Sequence, residues 1–304
     1  MPAPEDGPSV VILGARSVRQ GTGPFVAAAL AKGGARVAGI VGTTAGTVKE
    51  ARKALASEWG IDCPGFVTLR DALEATAADA VAICTPWELH EEQLLQVAAA
   101  GCHCLVEKPM LWPGSEGQAH EVISAFEERN LLLDMVAQWP ATLPGFEQLH
   151  GALPEPLDEF VMRLSPLALG ERAIPDAAPH FISMLQALLG PGECVQVNRS
   201  VREDRIQVGC NYYHTTGICR AMLILEACPE RPRPAWYQLN TLRADREVEL
   251  PDYHQFLAAE GDRVAIIDPM EQVARNFLDK LAVADTTDGA NLRAAHRNLL
   301  QLVG

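Results

Sequence analysis

Short apolar runs alternate with stretches of helical periodicity along the first part of the chain. Several of these runs lead into glycine, threonine or proline, as buried strands that enter turns do. Predicted strands cover residues 9–13, 36–41, 79–84, 102–106 and 131–136, and predicted helices cover 24–32, 47–59, 88–100 and 115–129. Regular alternation of this kind is typical of an α/β fold with a doubly wound parallel sheet.

The pattern changes near residue 137, where prolines become frequent and the alternation stops. Strand-like stretches at 159–164, 205–213, 221–227 and 236–242 follow, with a helical stretch at 175–189. We therefore predict a first domain at residues 1–137 and a second domain at 138–304. The second is expected to be an α+β domain with a mostly antiparallel open sheet. Its C-terminal helix can pack back on the first domain.

Composition restricts the class of protein. The chain has 304 residues, of which 48% are hydrophobic and 21% charged, as in soluble globular proteins. A net charge of -14 disfavours nucleic acid or an anionic membrane as partner. The chain has no run of about 18 apolar residues, so no membrane span is predicted. Its acidic N-terminus lacks the features of a secretory signal. We therefore expect a cytoplasmic protein.

The cysteines are not expected to hold a metal. All eight are scattered, mostly in apolar stretches, which is typical of reduced, buried thiols. Cys102, His103 and Cys104 are consecutive, but on a strand the imidazole points to the face opposite the two thiols. We predict no metal site.

Polar residues follow two predicted strands where these reach one edge of the sheet. Thr85 and Pro86 end the strand at 79–84, the next helix carries His90, and the strand at 102–106 leads into Glu107 and Lys108. Ligands bind at the carboxyl edge of open parallel sheets. Lys108 is therefore expected where a substrate can meet it.

Two motifs in this region resemble the fingerprint of the Gfo/Idh/MocA family, which includes glucose-fructose oxidoreductase and inositol dehydrogenase. The matching residues are Thr85, Pro86 and His90, followed by Ala100, Gly101, His103, Glu107, Lys108 and Pro109. The resemblance implies a Rossmann domain that binds NAD or NADP and a second domain that binds a small sugar-like or cyclitol-like substrate. It places Thr85, Pro86, His90 and Glu107 beside the cofactor.

The loop after the first strand departs from the compact glycine motif of dinucleotide-binding folds. Gly14 opens a turn and Gly21 and Gly23 precede the next helix, which makes the loop about three residues longer than the usual motif. Arg16 and Arg19 are suited to a diphosphate. The alternative is that both arginines are solvated and that the loop has lost its ligand.

The end of the second strand favours NADP. An NAD-preferring fold presents a carboxylate there to the ribose hydroxyls, whereas this chain has Thr43 and Thr44. These side chains would not repel a 2'-phosphate, although they equally suit a hydroxyl-capped turn. NADP is the predicted cofactor, and NAD stays possible.

In the family, an Asp-x-x-x-His segment of the second domain faces the lysine. Asp176 and His180 match it, and on a helix their spacing places both on one face, unless Pro179 marks the first turn. The resemblance then implies that His180 transfers a proton, that Asp176 orients it, and that Lys108 binds the reacting oxygen. The alternative for His180 is a structural histidine at a helix start.

The leading hypothesis is an NAD(P)-dependent oxidoreductase that transfers a hydride to or from a small hydroxylated or carbonyl compound. Two others remain: a catalytically silent nucleotide- or metabolite-binding protein that kept the fold, and a structural oligomerisation module. The resemblance also implies a homo-oligomer, a dimer or tetramer.

Overall fold

The computed structural model describes residues 7–16 and 21–304. These residues group into two compact units. The first unit contains the described residues up to Val136 together with Met270–Gly289. The second contains Ala137–Pro269 and Ala290–Gly304.

The sheet of the first unit is parallel throughout its described strands. Its strands are β1 (Ser9–Leu13), β2 (Arg36–Val41), β3 (Gly65–Phe66), β4 (Ala80–Ile83), β5 (His103–Val106) and β6 (Leu133–Met135). They are arranged in the order β3-β2-β1-β4-β5-β6, with every neighbouring pair parallel. This order is that of doubly wound dinucleotide-binding sheets, so the predicted fold class of the first domain is confirmed.

The second unit contains a mostly antiparallel sheet, which is also as predicted. Its strands are β7 (Glu159–Leu164), β8 (Glu193–Val201), β9 (Ile206–His214), β10 (Gly217–Leu225), β11 (Ala235–Leu239), β12 (Leu242–Glu249), β13 (His254–Ala259) and β14 (Asp262–Ile266). The order is β14-β13-β12-β11-β7-β10-β9-β8. The pair β7–β10 is parallel, and the other neighbouring pairs are antiparallel.

Helices connect and cover these strands. They are α1 (Gly23–Lys32), α2 (Ala45–Trp59), α3 (Leu69–Thr76), α4 (His90–Ala99), α5 (Glu116–Glu127), α6 (Leu143–His150), α7 (Ala173–Leu189), α8 (Pro269–Ala282) and α9 (Gly289–Val303). Side-chain caps mark three of the starts: Thr44 accepts the Thr47 N–H at α2, Thr68 accepts the Asp71 N–H at α3, and Ser115 accepts the Gln118 N–H at α5. No helix among the described residues has the length and apolar character needed to cross a membrane.

Helix α8 belongs to the core of the first unit although it lies late in the chain. Val273 and Phe277 are buried in the same cluster as Val10 and Leu30. The loop after α8 continues this packing, since the Thr287 hydroxyl donates to the Leu131 carbonyl at 2.7 Å. A segment remote in sequence thus completes the first hydrophobic core.

Helix α7 covers one face of the second sheet. Side chains along β7 alternate between buried and partly exposed, as expected for a sheet with one face on a core. Phe160 of β7 stacks on Phe181 of α7 with ring centroids 5.3 Å apart, and neither ring is exposed. This contact anchors the turn of α7 that carries the candidate catalytic histidine.

Candidate functional site

The turn that begins at Gly14 lies against the start of α1 and the end of β4. Gly14 has φ +94° and its N–H donates to the Val41 carbonyl at 3.1 Å. A Cβ on Gly14 would lie 2.8 Å from the Cys84 carbonyl oxygen, and one on Gly23 would overlap the carbonyl oxygen of Gly14. Gly14 requires glycine because of its positive φ and the nearby Cys84 carbonyl, and Gly23 requires it because α1 begins directly against the turn. No side chain caps the N-terminus of α1, and such a helix end is suited to bind an anion such as a diphosphate.

Gly21 and Arg16 are two further predicted cofactor-binding residues of this loop that the structure describes. Gly21 is partly buried two residues before α1, whereas Arg19 lies outside the described residues. The Arg16 guanidinium contacts the Glu50 carboxylate at 2.9 Å, and both side chains are exposed. Arg16 therefore lies beside α2, and its predicted contact with a diphosphate stays a prediction.

The loop after β2 is a hydroxyl-capped turn. Thr44 Oγ1 accepts the Thr47 N–H at 3.2 Å, and Thr47 Oγ1 accepts the Thr44 N–H at 3.0 Å. Thr43 is exposed, and α2 has no acidic residue in its first turn. This end of the helix is thus open to an anion, although its capping hydroxyl is already used.

The loops after β4 and β5 are joined by His90. The ring is 1% exposed, and its Nδ1 lies 3.0 Å from the Pro109 carbonyl oxygen and 3.2 Å from that of Met110. Its Nε2 lies 2.9 Å from the Thr85 carbonyl oxygen. All three partners are main-chain carbonyls, a contact that the sequence did not predict. The predicted role of His90 beside the cofactor stays a prediction.

Thr85 and Pro86 lie in the loop after β4. Thr85 is partly buried and its hydroxyl donates to Gln93 Oε1 at 2.6 Å, while Pro86 is exposed. A short 3-10 turn at Trp87–Leu89 then leads into α4. The hydrogen bond to Gln93 holds this loop against the first turn of the helix.

Lys108 leaves the sheet directly after β5. Glu107 is 7% exposed, and its Oε2 accepts the Lys108 N–H at 3.1 Å. Lys108 is partly buried, and the Lys108–Pro109 peptide bond is cis. The lysine backbone is therefore held by the Glu107 carboxylate before it and, through Pro109, by His90 after it.

Asp176 and His180 lie one turn apart on α7. The helix begins at Ala173, so Pro179 lies inside it and not in its first turn. Asp176 is exposed and His180 is partly buried. Ser183 Oγ donates to the His180 carbonyl at 2.9 Å, which supplies a hydrogen bond near the proline. The helical spacing predicted for this pair is present.

Cys102, His103 and Cys104 show no arrangement for a metal. His103 Nδ1 accepts the Leu132 N–H at 2.9 Å, and burial raises the pKa of the thiols of Cys102 and Cys104. Among the described residues, no group of three or more His, Cys, Asp or Glu side chains is placed to hold an ion.

Comparison with known proteins assigns the first unit. Residues 9–136 match the model of the Gfo/Idh/MocA family, described as an oxidoreductase family with an NAD-binding Rossmann fold. The match covers 128 of the 304 residues. The resemblance stated from its two motifs is thereby confirmed.

A curated relative matches part of the same region. Inositol 2-dehydrogenase of Leifsonia xyli subsp. xyli (strain CTCB07) is 42% identical over 77 residues. The match covers 25% of this chain and 21% of the relative. The chain therefore matches only about a fifth of the length of that Gfo/Idh/MocA relative.

Solved structures match nearly the whole fold. UDP-N-acetylglucosamine 3-dehydrogenase GnnA from Acidithiobacillus ferrooxidans has a TM-score of 0.70 at 21% identity, covering 97% of this chain and 96% of that chain. The 3-ketoreductase KijD10 from Actinomadura kijaniata, solved with NADP and TDP-benzene, has a TM-score of 0.69 at 17% identity, covering 95% of each chain. At these identities the matches establish a shared fold.

Burial of two histidines predicts how stability depends on pH. Burial lowers the pKa of His90 and of His103 from the usual 6.5. The unfolded chain therefore binds more protons than the folded chain below pH 6.5, so the free energy of unfolding should fall from pH 7.5 to 5.5. Urea unfolding at a series of pH values measures this fall, and His90→Asn should reduce it.

The carboxyl of Asp79 does not interfere with that measurement. Hydrogen bonds from Ser9 lower the pKa of Asp79 below its usual 3.8, so its stabilising effect is lost only in more acidic solution. A free energy of unfolding that stays constant between pH 7.5 and 5.5, or an identical slope in His90→Asn, would contradict the expected contribution of His90.

Proposed function

We propose that this protein is an NAD(P)-dependent oxidoreductase that transfers a hydride between nicotinamide and a small hydroxylated or carbonyl compound. The observation that carries the proposal is the position of Lys108. It follows β5 at the carboxyl edge of a sheet whose first turn is shaped for a dinucleotide. The match of residues 9–136 to the model of an oxidoreductase family supports the same chemistry.

The residues of the first unit fit a nicotinamide dinucleotide. The turn at Gly14, with Gly21 and Gly23 at the start of α1, would hold the diphosphate through backbone N–H groups. Thr85, Pro86 and Glu107 lie at the ends of β4 and β5, the edge at which nicotinamide binds in sheets of this order. When bound, the nicotinamide supplies or accepts the hydride.

We assign the proton chemistry to three side chains. As an alcohol is oxidised, its carbon loses a hydride to the cofactor and its hydroxyl loses a proton to His180. Lys108 donates a hydrogen bond to the oxygen, which becomes a carbonyl. Asp176, one turn before His180 on α7, orients the imidazole. In the reverse direction, His180 returns the proton to the oxygen.

A sugar-like or cyclitol-like substrate is the proposed class. The curated relative is an inositol 2-dehydrogenase, and the solved structures with this fold include a nucleotide-sugar dehydrogenase and a 3-ketoreductase. Inositol and UDP-N-acetylglucosamine, which two of these names contain, each carry several hydroxyl groups. The proposal is correspondingly limited to this class of polyhydroxylated small molecule. A cytoplasmic location stays a prediction.

Replacing the two central side chains tests the proposed roles. Lys108→Met should lower kcat by about 10²- to 10³-fold because a hydrogen bond to the reacting oxygen is lost. His180→Asn should lower it by about 10²- to 10⁴-fold because the proton acceptor is lost. Both variants should still bind NADPH, measured by quenching of the five tryptophans.

The control is Lys53→Met on the exposed face of α2, which should leave turnover unchanged. Wild-type turnover in both Lys108→Met and His180→Asn would refute the assigned roles. Saturable binding of NADPH or NADH without turnover of any polyol or sugar would instead favour a silent binding protein. Failure to bind either cofactor would refute the dinucleotide site.

We propose NADP as the preferred cofactor because the end of β2 presents hydroxyls and no carboxylate. Thr43→Asp should repel the 2'-phosphate and weaken NADPH binding by at least about tenfold relative to NADH. Thr43→Asn has nearly the same shape without the charge and should change this ratio little. Equal effects of the two variants on the NADPH/NADH ratio of dissociation constants would contradict the proposal.

We further propose a homodimer or homotetramer formed through the open face of the second sheet. Ile218 and Tyr213 are directly opposite on β10 and β9, and Met222 lies on the same face; their exposures are 48%, 43% and 37%. Exposed apolar patches of this kind mark interfaces. Sedimentation should show a dimer or tetramer that Ile218→Lys with Met222→Lys dissociates, while Val283→Lys does not. A monomeric wild type would overturn this assignment.

A further inference from the structure

The ring nitrogens of His90 are surrounded by main-chain carbonyl oxygens. Both ring nitrogens face carbonyl oxygens of the main chain, which only accept hydrogen bonds. Two of these carbonyls, those of Pro109 and Met110, belong to the loop that carries Lys108, and both lie on the Nδ1 side. A neutral imidazole has one hydrogen to donate, and we place it on Nδ1, where two carbonyls can accept it; there it ties the Lys108 loop to the start of α4.

The Lys108 backbone is held on both sides by buried groups. Before it, the Glu107 carboxylate accepts its N–H at 3.1 Å. After it, the carbonyl oxygen of the following residue, Pro109, lies 3.0 Å from His90 Nδ1. Glu107 is 7% exposed and His90 is 1% exposed, so little water is available to replace either bond. Removing the imidazole leaves two carbonyls without this partner and frees the loop to shift.

We infer that His90 is a positioning residue for the reaction: by holding the carbonyls of Pro109 and Met110 through Nδ1, it sets the backbone from which Lys108 reaches the reacting oxygen. The inference rests on the proposed role of Lys108. Displacement of a catalytic group by about 1 Å can lower a rate by about 10²-fold. His90 thus acts on the rate through Lys108 without touching the substrate.

Three substitutions separate positioning from simple packing. The amide nitrogen of Asn reaches close to the place of Nδ1, and that of Gln reaches close to the place of Nε2, whereas Phe retains a ring without donors. His90→Phe should lower kcat by about 10- to 100-fold with little change in the dissociation constant of NADPH. His90→Asn should recover most of this loss, and His90→Gln should not.

Hydrogen exchange provides a readout in the protein without cofactor. The peptide covering residues 107–112 should exchange faster in His90→Phe and His90→Gln than in the wild type, and should be protected again in His90→Asn. The matched control is Gln118→Leu, which removes hydrogen bonds of 3.0 and 2.8 Å between α5 and Glu91 on α4. It should lower stability and leave kcat and this peptide unchanged.

The outcomes distinguish this inference from the proposed function. Wild-type kcat in His90→Phe, or equal losses in His90→Asn and His90→Gln, would overturn the positioning role even if Lys108→Met is inactive. If Lys108→Met retains full turnover, the role of Lys108 fails first and the positioning role fails with it. If His90→Phe does not fold, the comparison of Asn with Gln decides.

Discussion

The loops that form the candidate site depend on one constraint, the parallel arrangement of buried strands. Parallel strands within one sheet all end at the same edge, so the segments that follow β1, β2, β4 and β5 are brought together whatever their separation in sequence. The strands themselves are apolar: every residue of β1 and β4 is buried. Polar chemistry is therefore restricted to the residues just beyond each strand.

Buried polar groups then give this edge a defined geometry. A buried imidazole and a buried carboxylate are costly unless hydrogen bonds satisfy them. With its hydrogen on Nδ1, His90 donates to the carbonyls of Pro109 and Met110, and Glu107 accepts the N–H of the next residue. The same bonds that offset burial also restrict the loop movement, which links the stability of the edge to the placement of Lys108.

The local pattern predicted strands whose residues are buried continuously or in regular alternation, and it missed others, among them two edge strands. The bounds of β1, β2 and β7 match the apolar runs at 9–13, 36–41 and 159–164. Strand β3 has two residues, too few to show a period, and β14 is an edge strand with no buried residue. The packing of α8 in the first core was not predicted either. The amphipathic pattern of a helix does not indicate which core its apolar face joins.

The sequence by itself determined the fold class, the glycine turn and the residue types at the strand ends, because periodicity and local motifs act over neighbouring positions. The i,i+4 spacing of Asp176 and His180 also followed from the chain alone, given a helix. Only the tertiary structure decided that His90 faces Pro109, 19 positions away, and that Phe277 fills the first core. Contacts between distant segments depend on how elements pack, and no local pattern encodes that.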